Sequence, residues 1–217
     1  MIRFSMKKIG ITLRVENFTE YDEKRDAISH DWINYLSNKN ILPIFIPNNL
    51  LDLNLFLDTI NLDGIILSGG DNPGESLERD VTEKKLLNYG IKKNIPIIGI
   101  CRGLQVINNF FGGKIKIDTS NSHVKINHKI EIIEDKFKKF FNSNELIVNS
   151  FHNNIILENF LGKELKIFAK STHDNTIEGI IHEKLPIMGV MWHPEREKIE
   201  KEINLMDIFY NSLWLKT

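Results

Sequence analysis

The stretch Ile95-Pro-Ile-Ile-Gly-Ile-Cys-Arg-Gly-Leu-Gln-Val-Ile-Asn-Asn-Phe-Phe-Gly-Gly113 decides how this chain is read. An apolar run of strand length meets a tight turn, then apolar residues at helical spacing run to the Gly112-Gly113 stop. At the turn, Gly99-Ile-Cys-Arg-Gly103 is the cysteine counterpart of the G-x-S-x-G elbow, in which a nucleophile is lifted above the end of a sheet. Side chains two residues before and two after such a nucleophile would collide, which accounts for Gly99 and Gly103. The Cys101 sulfur then sits at a helix N-terminus, where the macrodipole favours an anion, and the Arg102 N–H faces any oxyanion formed beside it. A lone free cysteine is most often a small core hydrophobe; the elbow context reverses that preference here.

Outward from this element the same alternation repeats. Lys8–Leu13, Ile41–Ile46, Asp63–Leu67 and Ile95–Ile100 read as short buried strands, with helices over Asp22–Asn38, Arg79–Lys92 and Leu104–Phe111. This β-α-β-α order predicts an α/β three-layer sandwich whose central sheet is largely parallel. After Gly113 short strands dominate: Ile115–Ile117, Lys129–Ile133, Leu146–Val148, Leu165–Ala169, Thr176–Ile181 and Ile187–Met191. Glu134–Lys139 reads as a solvated helix face or loop, and Glu197–Leu215 as a closing helix. With no repeat and no Pro/Gly/Ser-rich linker, residues 1–217 are expected to form one domain.

Composition narrows the partners. The 217 residues carry 28 Lys+Arg and 29 Asp+Glu, a net charge of −1 that gives no electrostatic reason to expect nucleic acid or an anionic membrane. No apolar run is long enough to span a bilayer, and Met1–Lys8 lacks the apolar core and small-residue cleavage site of a secretory signal. The single cysteine fits a reducing compartment, so a cytoplasmic location is expected. A small-molecule substrate is the partner in view, with a homodimer as the assembly allowed for.

A nucleophilic sulfur needs a base, and the base an orienting group. Among the seven histidines, His193 stands out in Met191-Trp-His-Pro-Glu195, just past an apolar run and so at a strand end where α/β sites collect. Glu195 can fold back to hold its ring. Ser68-Gly69-Gly70 follows a buried strand and offers backbone N–H groups to an oxyanion. Asn149-Ser-Phe-His152 ends another strand and adds polar side chains. His123 and His128 have no cysteine or carboxylate cluster at ligand spacing beside them, and read as surface or structural residues.

Together these pieces resemble the class I glutamine amidotransferase-like superfamily, in its γ-glutamyl hydrolase branch. The motifs span nearly the whole chain: Ile9-Gly-Ile-Thr12, Leu42–Pro47, Leu67–Asp71, Gly99–Asn108, Val148–His152, Thr176-Ile-Glu178 and Gly189–Glu195. The resemblance implies a flavodoxin-like core, a Cys101–His193–Glu195 triad and an oxyanion hole at Gly70 and the Arg102 N–H. It further implies substrate-binding positions at Gly69, Gln105, Asn149, Ser150 and His152, with no metal or organic cofactor. The implied reaction cleaves a γ-glutamyl amide through a glutamyl thioester. The branch usually reads Ser-x-His-His-Gln where this chain has Ser150-Phe-His-Asn-Asn154, so a leaving group other than γ-aminobutyrate is expected. A nucleotide conjugate is among the candidates, with Arg14, Arg25, Arg79 and Arg102 as candidate phosphate contacts and the polar stretch Arg14–Arg25 as an outer pocket wall. A γ-glutamyl-amine hydrolase, a glutaminase subunit feeding ammonia to a synthase and an inactive binding module on the same fold stand as alternatives.

Overall fold

In the strands β1 (Lys7–Thr12), β4 (Ile41–Ile46, at the sheet edge), β5 (Gly64–Leu67), β6 (Ile97–Ile100) and β13 (Ile187–Val190), apolar residues point to both faces, as a doubly covered parallel sheet requires. The computed structural model describes residues 6–37, 39–196, 205–212 and 215. These five strands pair in parallel in the order β4-β1-β5-β6-β13, the doubly wound arrangement of a flavodoxin-like core. Four antiparallel strands continue from β13: β12 (Ile177–His182), β11 (Leu165–Ser171), β8 (Val124–Ile132) and β9 (Glu145–Phe151).

Alternation within single strands assigns the two faces. Ile65 and Leu67 of β5 pack with Leu57 of α2 (Leu53–Ile60), Leu86 of α3 (Leu77–Lys93) and Leu104 of α4 (Arg102–Phe110). Ile66, between them, joins Trp32 of α1 (His30–Ser37), Phe137 of α5 (Asp135–Phe141) and Phe209 of α6 (Leu205–Asn211). Helices therefore cover both sides, and the three-layer expectation holds. None of the described helices is long and apolar enough to cross a membrane.

Three elements differ from the sequence reading. The helix expected over Asp22–Asn38 begins only at His30. Its first part is β3 (Glu23–Ala27), paired with β2 (Arg14–Phe18) in a separate two-stranded ribbon. The charged run Glu23-Lys-Arg-Asp26 has no apolar face to bury as a helix, whereas in the ribbon the Arg25 guanidinium lies 4.0 Å over the Phe18 ring. Helix α2, not foreseen, starts where the Asp52 carboxylate accepts the Leu55 N–H at 2.9 Å, a side-chain N-cap. Glu134–Lys139 enters α5, which buries Phe137 and Phe141 and is more than a solvated face. A short ribbon of β7 (Lys116–Ile117) and β10 (Asn154–Ile155) stands apart from the main sheet. Of the closing helix, Leu205–Asn211 is observed, and residues 197–204 lie outside the described residues.

Helix α5 is held by aromatic stacking: Phe137 lies 4.0 Å from Phe168 of β11 at 12° between planes, both fully buried. Replacing Phe137 by Ala should therefore destabilise the fold by about 3–5 kcal/mol. Exposed Lys139→Ala on the same helix should stay within about 0.5 kcal/mol of wild type. Urea-denaturation midpoints measure both, and equal midpoints would remove α5 from the core.

Candidate active site

All the strand ends that matter are carboxyl ends. Thr12 closes β1, Ser68-Gly69-Gly70 follows β5, Cys101 follows β6 and His193 lies three residues beyond β13. In a doubly wound sheet this edge, beside the switch in strand order, is where ligands bind.

Cys101 occupies a strained backbone, with φ 51° and ψ −102°, as the residue that caps α4. A non-glycine residue in that region is held there by its surroundings at a cost of order 1–3 kcal/mol. The surroundings are the two glycines. A Cβ on Gly103 would lie 2.1 Å from the Leu67 carbonyl oxygen, and one on Gly99 would lie 2.3 Å from the Gly103 carbonyl carbon. Strands β5 and β6 and helix α4 thus meet in contacts that only glycine permits.

His193 is almost wholly buried, and its Nδ1–H donates to Glu195 Oε1 at 2.7 Å. Its other partner is the Cys101 side chain. Burial acts to strip the ring of its proton, but hydrogen bonds to Cys101 and Glu195 outweigh it and raise the pKa to about 9. Asn149 grips the same residue by the main chain. Its Nδ2 donates to the His193 carbonyl at 2.8 Å and its Oδ1 accepts the His193 N–H at 2.9 Å. Phe151 stands edge-on to the ring, 5.8 Å between centroids. The arrangement can keep a proton on His193 beside a sulfur nucleophile and deliver it from Nε2 to a departing nitrogen.

Gly70 has φ +136°, a conformation L-residues rarely adopt, and a side chain there would strike Arg79. Gly69 lies beneath the His193 ring, 2.7 Å from Cε1 to where a methyl group would sit. The loop is braced from below. Fully buried Arg79 donates to the Ser68 carbonyl at 2.7 Å, to the Gly69 carbonyl at 3.1 Å and to Asp71 at 2.5 Å. Glu83, also fully buried, accepts from Arg79 Nε at 3.0 Å, from Thr12 Oγ1 at 2.9 Å and from Arg102 Nη1. Arg102 also reaches Asp80 at 2.6 Å. Burial, with Arg79 close by, pulls Arg102 down to about 10, so it stays charged at neutral pH.

The structure brings Cys101, His193, Glu195, Gly69, Gly70 and the Arg102 backbone to one edge of the sheet. Buried Gln105 sits one helical turn below Cys101, its Nε2 donating toward Met191 Sδ at 3.7 Å and its Oε1 accepting from Asn154 at 3.2 Å. Ser150 and His152 turn elsewhere. Ser150 Oγ donates to the His123 carbonyl at 2.7 Å, and the His152 ring lies against His123 and Glu178. Burial drives His152 down to about 4. His123 and His128 are not surface residues: their side chains are only 1% and 8% exposed. The expected phosphate contacts divide. The Arg79 and Arg102 side chains are engaged by buried carboxylates, whereas Arg14 borders a narrow cleft with Ser29, Gly70, His193 and Arg196. Arg25 is held over Phe18 on the outer ribbon.

Sequence reading missed Asn72 and Asn154, joined at 2.9 Å, as polar neighbours of Gln105. It also missed Glu83 as the brace; the i,i+4 pair Arg79–Glu83 on an amphipathic helix was the available signal.

Because the His193 value in the folded chain lies above the usual 6.5, its interactions add stability that is complete below about 6.5 and lost as pH rises through about 9. Glu195→Gln should move the imidazole titration, followed by NMR, below about 9 and flatten that pH-dependent loss in urea midpoints. A titration unmoved by the substitution would separate Glu195 from the ring.

The Peptidase C26 family model matches residues 8–195. The chain is 34% identical over 212 residues to the γ-glutamyl-CDP-amidate hydrolase of Campylobacter jejuni, covering 94% of this chain and 97% of that protein. It is 28% identical to anthranilate synthase component 2 of Saccharolobus solfataricus over 86% of this chain and 91% of that one. Among solved structures, a glutamine amidotransferase from Thermotoga maritima superposes with a TM-score of 0.64 at 17% identity, over 89% of this chain and 77% of that chain. The chain belongs to the Peptidase C26 family of class I glutamine amidotransferase-like proteins and is a cysteine-dependent hydrolase.

Proposed function

We propose that the protein hydrolyses a γ-glutamyl-CDP-amidate, releasing glutamate and cytidine diphosphoramidate as a step in capsular polysaccharide modification. The observation that carries the chemistry is the hydrogen-bonded line from Glu195 through His193 to Cys101 at the strained elbow. The choice of leaving half is supported by similarity to the Campylobacter jejuni enzyme along almost the full length of both chains.

In this reading Cys101 attacks the γ-carbonyl as a thiolate. The oxyanion is received by the N–H groups of Gly70 and Arg102, the latter at the open first turn of α4. His193 passes its Nε2 proton to the departing nitrogen, so the C–N bond breaks and a glutamyl thioester remains. The now neutral His193 takes a proton from water, whose oxygen attacks the thioester. Collapse frees glutamate and returns the thiolate. Gln105, with Asn154 and Asn72, forms the polar floor for the amino-acid end, while Asn149 acts on substrate through the base that it grips. Arg14 and Arg196, at the rim of the cleft beside His193, would offer their guanidinium groups to the diphosphate. No metal or organic cofactor takes part in these steps.

Glutamate release should be measured with γ-glutamyl-CDP-amidate, γ-glutamyl-γ-aminobutyrate and glutamine. The nucleotide conjugate is expected to give a kcat/KM at least about 10²-fold above the others, a difference of about 2.7 kcal/mol in transition-state binding. Cys101→Ala should abolish turnover with all three while still retaining the conjugate. Equal rates would defeat the nucleotide reading and leave a general γ-glutamyl amine hydrolase. Glutamine turnover that rises on adding a synthase would point to an ammonia-delivering subunit.

A further inference from the structure

On the antiparallel half of the sheet four side chains from three segments converge. His123 precedes β8, His128 lies within it, His152 follows β9 and Glu178 comes from β12. The side chains of His123, His152 and Glu178 are at most 2% exposed, and that of His128 is 8% exposed. His123 Nδ1 is 3.9 Å and His152 Nε2 3.7 Å from Glu178 Oε1, and His128 Nε2 is 3.5 Å from Glu178 Oε2. Among the described residues none of these five atoms has a hydrogen-bond partner.

The outer hydrogen bonds fix what faces inward. His123 Nε2 lies 2.8 Å from the Asp174 carboxylate, which can only accept, so that nitrogen carries a proton, and in the neutral ring Nδ1 then presents a bare lone pair. His152 Nδ1 lies 3.0 Å from the Asn154 carbonyl, so its Nε2 is bare as well. Glu178 adds two acceptor oxygens. Lone pairs thus meet lone pairs in a buried space, an arrangement that costs free energy unless something electron-poor lies between them. Rings that donate outward to a carboxylate and a backbone carbonyl while aiming the other nitrogen inward are oriented as metal-ligating histidines are.

We propose that His123, His128, His152 and Glu178 form a structural site for a divalent transition-metal cation of the zinc type. Three imidazole nitrogens and one carboxylate oxygen make a four-coordinate set suited to zinc and too poor in oxygen for magnesium or calcium. The ligand atoms of His123, His152 and Glu178 lie within 4.8 Å of one another. Ligands about 2.0–2.1 Å from a tetrahedral ion stand roughly 3.3–3.4 Å apart, so modest contraction closes the site. The His123 and His152 rings lie stacked, 4.9 Å between centroids, with their outer hydrogen bonds in place. With His128 drawn in from beside Glu178 Oε2, all four positions would be filled by protein, leaving no open position for catalysis and making the site structural. It would tie β12 to β8 and β9 behind the base. The Glu178 carbonyl accepts the Met191 N–H at 2.8 Å, and Asn149, three residues before His152, holds His193.

The test uses the full chain, free of any affinity tag, carrying Cys101→Ser so that no thiolate can hold metal. After stripping with a chelator it is titrated with Zn²⁺ alone against a competing chelating dye. A single equivalent should bind and raise the melting temperature, and Co²⁺ in its place should give the visible absorption of a tetrahedral ion. Glu178→Gln and His152→Ala should lose that equivalent. Asp174→Asn, which removes only the outer hydrogen bond to His123, should weaken it about 10–100-fold. His173→Ala, at an exposed histidine outside the cluster, should change nothing. If the ligand variants do not fold, the parent stoichiometry and the Asp174→Asn shift decide. A stripped chain that takes up less than one equivalent, or an affinity unmoved by Asp174→Asn, overturns the site.

Discussion

One buried carboxylate ties the site to the fold. Glu83 accepts from Thr12 at the end of β1, from Arg79 beneath the loop after β5 and from Arg102 at the start of α4. Thr12 and Arg102 belong to different strand-end junctions of the parallel core, and Arg79, on the same helix as Glu83, carries the tie on to the loop after β5, so one side chain anchors the network that joins all three. Removing one partner of such a buried network leaves a charge uncompensated, at a cost of about 3–5 kcal/mol. Set against a typical total stability of roughly 5–15 kcal/mol, that is a large share. The backbone carbonyls of Ser68 and Gly69 are turned toward Arg79 by the same bonds. A carbonyl turned down leaves the following N–H free to point up, the orientation an oxyanion needs.

The sheet divides its labour along its length. The parallel half supplies Cys101, the nucleophile of the proposed reaction, and the glycine loop, both at strand ends fixed by close backbone approach. The antiparallel half supplies the support for the base: β12 bonds to the chain just before His193, and Asn149 of β9 clamps it from the side. His193 stands at the seam, three residues past β13, the strand that is parallel to β6 on one side and antiparallel to β12 on the other.

What could be read in advance followed from local rules. The elbow, the apolar strands and the stop at Gly112-Gly113 are each decided by residues close in sequence, and they suffice for a doubly wound sheet. The hydrogen-bonded pair His193–Glu195, proposed as base and orienting carboxylate, was legible because the two lie two residues apart around a proline. The Glu23–Ala27 strand was not, because its partner β2 is exposed and polar and carries little alternation. Helix α2 buries Leu53 and Leu57 at i,i+4 spacing, but the exposed Leu55 between them gives the run an alternation that masks the helical period. The histidine cluster was invisible for another reason. Ligand spacing along the chain identifies metal sites built on a single turn or helix, whereas His128, His152 and Glu178 become neighbours only through strand order.

The β2–β3 ribbon has a consequence for how such a protein can change. It is inserted between β1 and α1, pairs with no strand of the main sheet and touches the body through ties such as Lys24 with Glu78 and Asp26 with Asn48. Yet Arg14, its first residue, stands over Gly70. Its length and charge can therefore be rewritten while the buried layers stay as they are, and each rewriting alters what the rim of the cleft admits. New molecular preferences could arise by exchanging a dozen surface residues, leaving the catalytic machinery to be inherited intact.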